Sequence, residues 1–288
     1  MTLPNLVLIL ASAMVHVVAH VALKRARDRA AFVWWMLVWG GVLFAPVLVL
    51  GHPSVPAAAW AIMAASGVCE VLYFLAIARA YRLGDLSLVY PLARGTAPLF
   101  LLLWTTLFLA DHITPGGVAG IAVIAIGLYL INLPGLGAWL QPLRQLAQPA
   151  PLTALAAGLC ISLYTFIDRG GIQLVEPLLY TYLTLWITLL LITPLTLRQV
   201  GWAGLRAELG ASRLSSVLAG FTTMAAYAMV LYAIRFGTPA SYAGAVREIS
   251  VVFGAAIGVT LLHERGSAMR VAGAVGVAAG VALIALFG

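Results

Sequence analysis

Arg94 and Arg247 each sit in the middle of a long apolar stretch, 153 positions apart. A guanidinium at bilayer depth is costly unless an acidic partner or a water-filled cavity receives it. Its planar fork meets carboxylate, phosphate or phosphonate oxygens two at a time. Both residues are therefore candidate contacts for an anionic group, and the alternative is an arginine neutralised by a nearby acid that only joins helices. Tyr90 precedes Arg94 by four positions and shares its helix face, where it adds a hydroxyl or a ring wall.

Other polar residues lie among apolar neighbours. Glu248 follows Arg247 directly, and neighbours on a helix point about 100° apart, so the two cannot pair with each other and must look elsewhere. Glu248 could turn toward Arg94 or a tyrosine. Glu70 stands in Ser66-Gly67-Val68-Cys69-Glu70-Val71-Leu72-Tyr73. Three roles are open to it: proton carrier, partner of Arg94 or Arg247, or receiver of a substrate ammonium. His16 and His20 are one turn apart with Ser12 and Lys24 on the same stripe, and Cys160, Tyr164 and Asp168 repeat that spacing. The histidine spacing suits metal ligands, but no third ligand is evident; a titrating or substrate-contacting stripe is favoured over a metal, and packing with satisfied hydrogen bonds is the alternative. Tyr164 and Tyr242 are candidate cavity tyrosines. Asp168 beside Arg169 reads as a solvated pair near a helix end.

These residues need membrane-spanning elements to hold them. The chain of 288 residues is 63% hydrophobic and 9% charged, more apolar than a soluble domain requires. Ten apolar runs, each near the length that crosses a bilayer core, fall at roughly 3–23, 32–50, 56–79, 86–110, 113–133, 152–169, 177–197, 212–235, 238–262 and 268–287. The expected class is an all-α integral membrane protein, with no room for a soluble catalytic domain. The first run lacks a basic leader and a small-residue cleavage site, so it is expected to be retained. Cys69 and Cys160 fall inside runs and read as buried thiols.

The net charge of +7 comes from a loop bias and gives no reason to expect nucleic acid as a partner. Twelve of the sixteen basic residues lie in the loops after the odd-numbered runs; only Arg169 and Arg235 lie on the opposite face. The positive-inside rule then places the odd loops in the cytoplasm and both termini outside. Tryptophans near run ends, including Trp34, Trp35, Trp39 and Trp202, read as interfacial anchors.

Shifting residues 80–131 by 153 lands them on 233–284, with thirteen identities in 52 positions, among them Gly84, Arg94, Gly120 and Gly127. The Pro/Gly-rich stretch 134–151 is a linker between a first repeat, 1–133, and a second, 152–288. Because five spans is an odd number, the second half must insert upside down. The expected architecture is ten transmembrane helices in two inverted five-helix repeats around a central cavity.

Each half also ends in a short acidic loop and a glycine-spaced helix. In the first, Leu107-Phe108-Leu109-Ala110-Asp111 precedes Val118-Ala119-Gly120 and Gly127; in the second, Leu261-Leu262-His263-Glu264 precedes Val271-Ala272-Gly273 and Gly280. With this layout the chain resembles the drug/metabolite transporter superfamily, in particular its EamA-like members. The resemblance implies a secondary carrier without ATP hydrolysis. In the organellar sugar-phosphate relatives, basic residues on the helix that carries Arg247 here hold the phosphate. Family members are usually drawn with cytoplasmic termini, and the loop charges of this chain argue for the reverse. Asp111 and Glu264 suit a capping role at helix N-termini.

The expected function is a permease of the bacterial inner membrane that moves a small organic anion or zwitterion by alternating access, by proton coupling or by exchange. The competing reading is an exporter or flippase of a hydrophobic metabolite or lipid. An enzyme is not expected, since no nucleophile–base pair or carboxylate cluster is evident. No cofactor is expected. The partners expected are the substrate and the bilayer, and a monomer is compatible with the sequence.

Overall fold

The computed structural model describes residues 1–50, 55–83, 86–108, 113–131, 133, 135, 137, 139–140, 148–253, 256 and 268–288. Among these, the side chains of His20, Lys24, Leu50, Tyr81, Leu86, Ser87, Leu88, Tyr90 and Pro91 are likewise outside the description. Asp111 and Glu264, expected to cap helices, lie outside the described residues.

The described chain is helical, with no strand among the described residues. In order, the elements are α1 (Leu3–Lys24), α2 (Arg29–Leu43), the single turn α3 (Val47–Leu50), α4 (Ala57–Leu83), α5 (Leu86–Phe108), α6 (Pro115–Ile131), α7 (Pro149–Leu174), α8 (Pro177–Arg235), α9 (Ala240–Arg247) and α10 (Ala268–Phe287). Two helix starts are written in their caps. The Asp28 carboxylate accepts the Ala31 N–H at 2.9 Å to begin α2, and that of Glu176 accepts the Leu179 N–H at 3.0 Å to begin α8. Pro177 follows Glu176 in the first turn of α8, where its missing N–H costs nothing.

Among the described residues, five helices are long and apolar enough to cross a membrane, in α1, α4, α7, α8 and α10. Shorter apolar helices cover 29–43, 92–108 and 115–131. The outer surface is itself apolar, with Leu190 70% and Leu286 75% exposed. Such a surface suits lipid, and the helices satisfy their own backbone groups as a bilayer demands. The chain is an integral membrane protein.

The continuous α8 departs from the expected separate runs at 177–197 and 212–235. Gly201 (φ 64°, ψ 173°) and Ser212 (φ −135°, ψ 28°) are non-helical and divide it into pieces 177–200, 202–211 and 213–235. Gly201 occupies a backbone region that is essentially glycine's alone. The middle piece is a short helix interposed where a loop was expected.

Hydrogen bonds hold two opposite ends of the bundle. At one end the N-terminal ammonium donates to Gly288 O at 2.9 Å. Asn5 Nδ2 donates there to Phe236 O (3.2 Å) and Thr238 Oγ1 (2.9 Å), and Arg235 donates to the carbonyls of Ile172 and Val175. At the other end the Asp28 N–H donates to Glu208 Oε2 at 2.8 Å, and Trp35 Nε1 donates to Leu205 O at 2.8 Å. Residues 1–5, 172–176, 235–238 and 288 thus share one end, while 28–35 and 205–212 share the other.

Glycines let α6 and α10 lie backbone to backbone. A Cβ on Gly120 would stand 2.8 Å from Gly280 O, and one on Gly280 would stand 2.6 Å from Gly120 O. The same holds between Gly127 and Gly273, at 2.7 and 2.5 Å. Contact of 120 with 280 and of 127 with 273 makes the pair antiparallel. Under the 153-residue shift Gly120 corresponds to Gly273 and Gly127 to Gly280, so each glycine touches the counterpart of the other, a reciprocity that a two-fold axis between the helices produces.

Candidate functional site

Arg94 enters the interior from α5, which is helical through Pro91 and Pro98. Behind it Gly158 of α7 approaches so closely that a Cβ would lie 2.8 Å from Ala93 O. That approach presses α5 onto α7 and helps fix the level of Arg94. Arg247 is the last residue of α9. The next residue breaks the helical pattern, because the Glu248 N–H reaches back only three residues, to Ala245 O at 3.1 Å.

Consecutive residues therefore serve different partners. Glu248 is 3% exposed and its Oε2 lies 2.9 Å from Arg94 Nε, an ion pair between α5 and the end of α9. Arg247 is partly exposed and its guanidinium lies over the Tyr227 ring, 5.7 Å from the centroid. Of the orientations open to Glu248 in the sequence, the structure places it on Arg94.

Arg94 and Arg247 line one cavity of about 180 Å³ with Glu70, His16, Tyr73 and Tyr164. Tyr227, Thr184 and Ser12 add hydroxyls to its wall, and Leu23, Val33, Met36, Leu185 and Met224 make the remainder apolar. Glu70 enters from α4 and its Oε2 accepts the Thr188 hydroxyl at 2.5 Å. The Ser12 hydroxyl is turned onto the backbone, donating to Ala226 O at 2.7 Å. Along α1 the lining residues Ser12, His16, Ala19 and Leu23 form one stripe toward the end that holds residues 28–35.

Asp168 corrects the reading of a solvated pair with Arg169. It is fully buried, Tyr180 donates to its Oδ1 at 2.7 Å, and Tyr227 donates to its Oδ2. It holds the ring on which Arg247 rests, and Tyr164 meets that ring edge-on at 6.2 Å between centroids. Arg247 lies within electrostatic reach of Glu70, Asp168 and Glu248. The i, i+4 spacing of Tyr164 and Asp168 is the sequence signal for this cluster; Tyr227 stands in the sequence as one of several tyrosines inside apolar runs that could line a cavity.

Tyr242 is also placed differently from expectation. It is 1% exposed in the main apolar core, and its hydroxyl oxygen accepts the Thr114 N–H at 2.9 Å beneath α6. A Cβ at Gly117 would collide with that hydroxyl, so Gly117 makes room for a structural tyrosine outside the cavity. The expected contacts of Tyr90 and His20 lie outside the described side chains. No group of three or more His, Cys, Asp or Glu residues fit to hold a metal occurs among the described residues.

A model of the EamA-like transporter family matches residues 3–133 and again residues 148–286. The chain belongs to the EamA-like transporter family. This EamA-like chain is therefore a membrane transporter of the drug/metabolite type, with a small-molecule substrate and the bilayer as its partners. One solved structure, described only as a crystal structure of protein, superposes on the EamA-like chain with a TM-score of 0.75 at 15% identity. The superposition covers 98% of this chain and 97% of that one and shows the fold alone. No curated protein matches the chain.

Proposed function

We propose that this EamA-like protein is a secondary active transporter of a small organic zwitterion or anion. One observation carries the reading: Arg94, Arg247 and Glu70 line a single cavity deep among apolar helices. Arg247 is the primary anion contact, held by Tyr227 and ready to offer its fork to a carboxylate, phosphate or phosphonate. Arg94, braced by Glu248, supports it from the facing wall. Glu70 receives a substrate ammonium or the coupling proton. Two guanidiniums here meet three carboxylates (Glu70, Asp168 and Glu248), a net single negative charge that a bound proton brings to zero. A zwitterion, or an anion carried with a proton, leaves that charge unchanged, whereas an anion alone adds to it, so the count favours the first two.

Transport proceeds by alternating access between two inverted five-helix halves, 1–133 and 152–288, joined by the linker 134–151. The reciprocal glycine contacts of α6 and α10 support this arrangement. The loop charges favour odd loops in the cytoplasm of a bacterial inner membrane. The apolar part of the wall supports a second reading, export or flipping of a hydrophobic metabolite or lipid.

Proteoliposomes separate the two. Labelled zwitterionic, anionic and neutral hydrophobic metabolites are presented to wild type and to Arg247→Ala, with and without a proton gradient. Uptake of a zwitterion or anion that disappears in Arg247→Ala is expected. Uptake of neutral compounds alone, unaffected by that change, would establish the second reading.

A further inference from the structure

Away from the cavity, the segment 202–211 packs on the turn between α1 and α2. Trp202 meets Trp34 edge-on at 6.3 Å between centroids, and Trp35 Nε1 donates to Leu205 O at 2.8 Å. Glu208, 1% exposed, accepts the Asp28 N–H at 2.8 Å and the Ser212 hydroxyl at 2.7 Å. The carboxylate of Asp28 is itself turned inward, onto the Ala31 N–H. Asp28 and Glu208 are the only acids in 24–29 and 198–213, and both are spent on internal hydrogen bonds.

The basic residues of the same segments are left outside. Arg25, Arg27 and Arg29 on the turn, with Arg198, Arg206 and Arg213 on and beside the short helix, are all exposed. Exposed apolar side chains flank them: Trp202 at 59% and Leu214 at 73%. Leu205 faces inward at 0% while Arg206 faces out, so the helix has an inner apolar side and an outer basic one. The apolar side docks this short helix on the protein, which leaves exposed Trp202 and the arginines at the end of a membrane bundle, where tryptophans and basic side chains commonly meet the headgroups.

We propose that residues 202–211 and the α1–α2 turn form one binding surface for anionic phospholipid headgroups. The positive surface is built because Glu208 and Asp28 are folded inward; with either carboxylate outside, the patch would lose part of its field. Guanidiniums held by two docked segments can fork onto phosphate oxygens together, which scattered loop charges cannot do. The expected bound surface is the acidic leaflet facing the basic loops.

The test uses the full-length protein in nanodiscs of phosphatidylcholine alone and of equal parts phosphatidylcholine and phosphatidylglycerol. The melting temperature of wild type is expected to rise by several degrees in the anionic discs, with slower hydrogen exchange across 202–211. A variant with Arg27→Gln, Arg206→Gln and Arg213→Gln should melt as wild type does in phosphatidylcholine and lose most of the rise. A variant with Arg79→Gln and Arg82→Gln, which leaves this patch intact, should keep the rise. Inorganic phosphate added to phosphatidylcholine discs should not reproduce it.

An unchanged exchange rate in wild type overturns the proposal without recourse to any variant. Equal loss in the Arg79/Arg82 variant would make the effect one of diffuse charge and overturn the site. A full response to phosphate would make it a free-anion site and overturn the assignment to lipid.

Discussion

Arg94 Nε and Glu248 Oε2 stand 2.9 Å apart and tie α5 to the end of α9 across the interior. Arg247, one residue before Glu248, rests on a tyrosine ring instead and is more open. Two arginines at equivalent positions of a repeat thus have different surroundings, and their substitutions should separate.

Removing Arg94 strands the buried Glu248. Arg94→Ala is expected to lower stability by about 3–5 kcal/mol, the range seen when one member of a buried ion pair is deleted. The pair of changes Arg94→Met with Glu248→Gln should recover most of the melting temperature, and thermal melting of the purified variants checks this. Full stability of Arg94→Ala alone would show that the pair does no structural work.

Arg247→Ala should instead leave the melting temperature near wild type and abolish binding, read by titrating substrate into the same preparations. Lysine at 247 should rescue binding in part, because it keeps the charge and loses the fork. A well-folded Arg247→Ala that binds at wild-type affinity would end the anion-contact reading.

Tyr227 is predicted to act twice, through its ring and its hydroxyl. Tyr227→Phe keeps the ring but withdraws a hydrogen bond from fully buried Asp168, which should cost about 1–3 kcal/mol of stability. Tyr227→Leu also removes the surface under Arg247 and should weaken substrate binding roughly two- to fivefold beyond the phenylalanine variant. Equal affinities for the two variants would separate the ring from substrate binding.

The α6–α10 contact leaves no room for a side chain. Gly127→Leu would place its Cβ 2.7 Å from Gly273 O and from Val277 N, both backbone atoms, so the helices must move apart. A loss of about 1–3 kcal/mol or more is expected, measured as a lowered melting temperature. Gly135→Ala is the control, since nothing among the described residues lies within 4 Å of a Cβ there.

Single cysteines at Arg27 and Ser54, added to a chain whose own cysteines are replaced, test orientation. A membrane-impermeant thiol reagent applied to intact cells should label position 54 and spare position 27. The reverse pattern would show that the loop-charge bias does not set the topology of this chain.

Composition and spacing determined the membrane class, the basic and non-basic loops, and Arg94 and Arg247 as equivalents, while the motif ending each half carried the resemblance to the family. These properties are local or repeat along the chain, so they survive without knowledge of which helix meets which. Only the tertiary structure decided that Glu248 belongs to Arg94 while Glu70 takes the Thr188 hydroxyl. It also decided that Asp168 is buried under two tyrosines, and that Tyr242 serves the core and not the cavity. A helical period says which side chains share a face, as Tyr164 and Asp168 do. It does not say what that face touches, because the partners come from helices tens to hundreds of residues away. The segment 202–211 is a related case: its sequence reads as a loop, and its place beside Asp28 depends on a carboxylate at 208 that finds its donor 180 positions earlier.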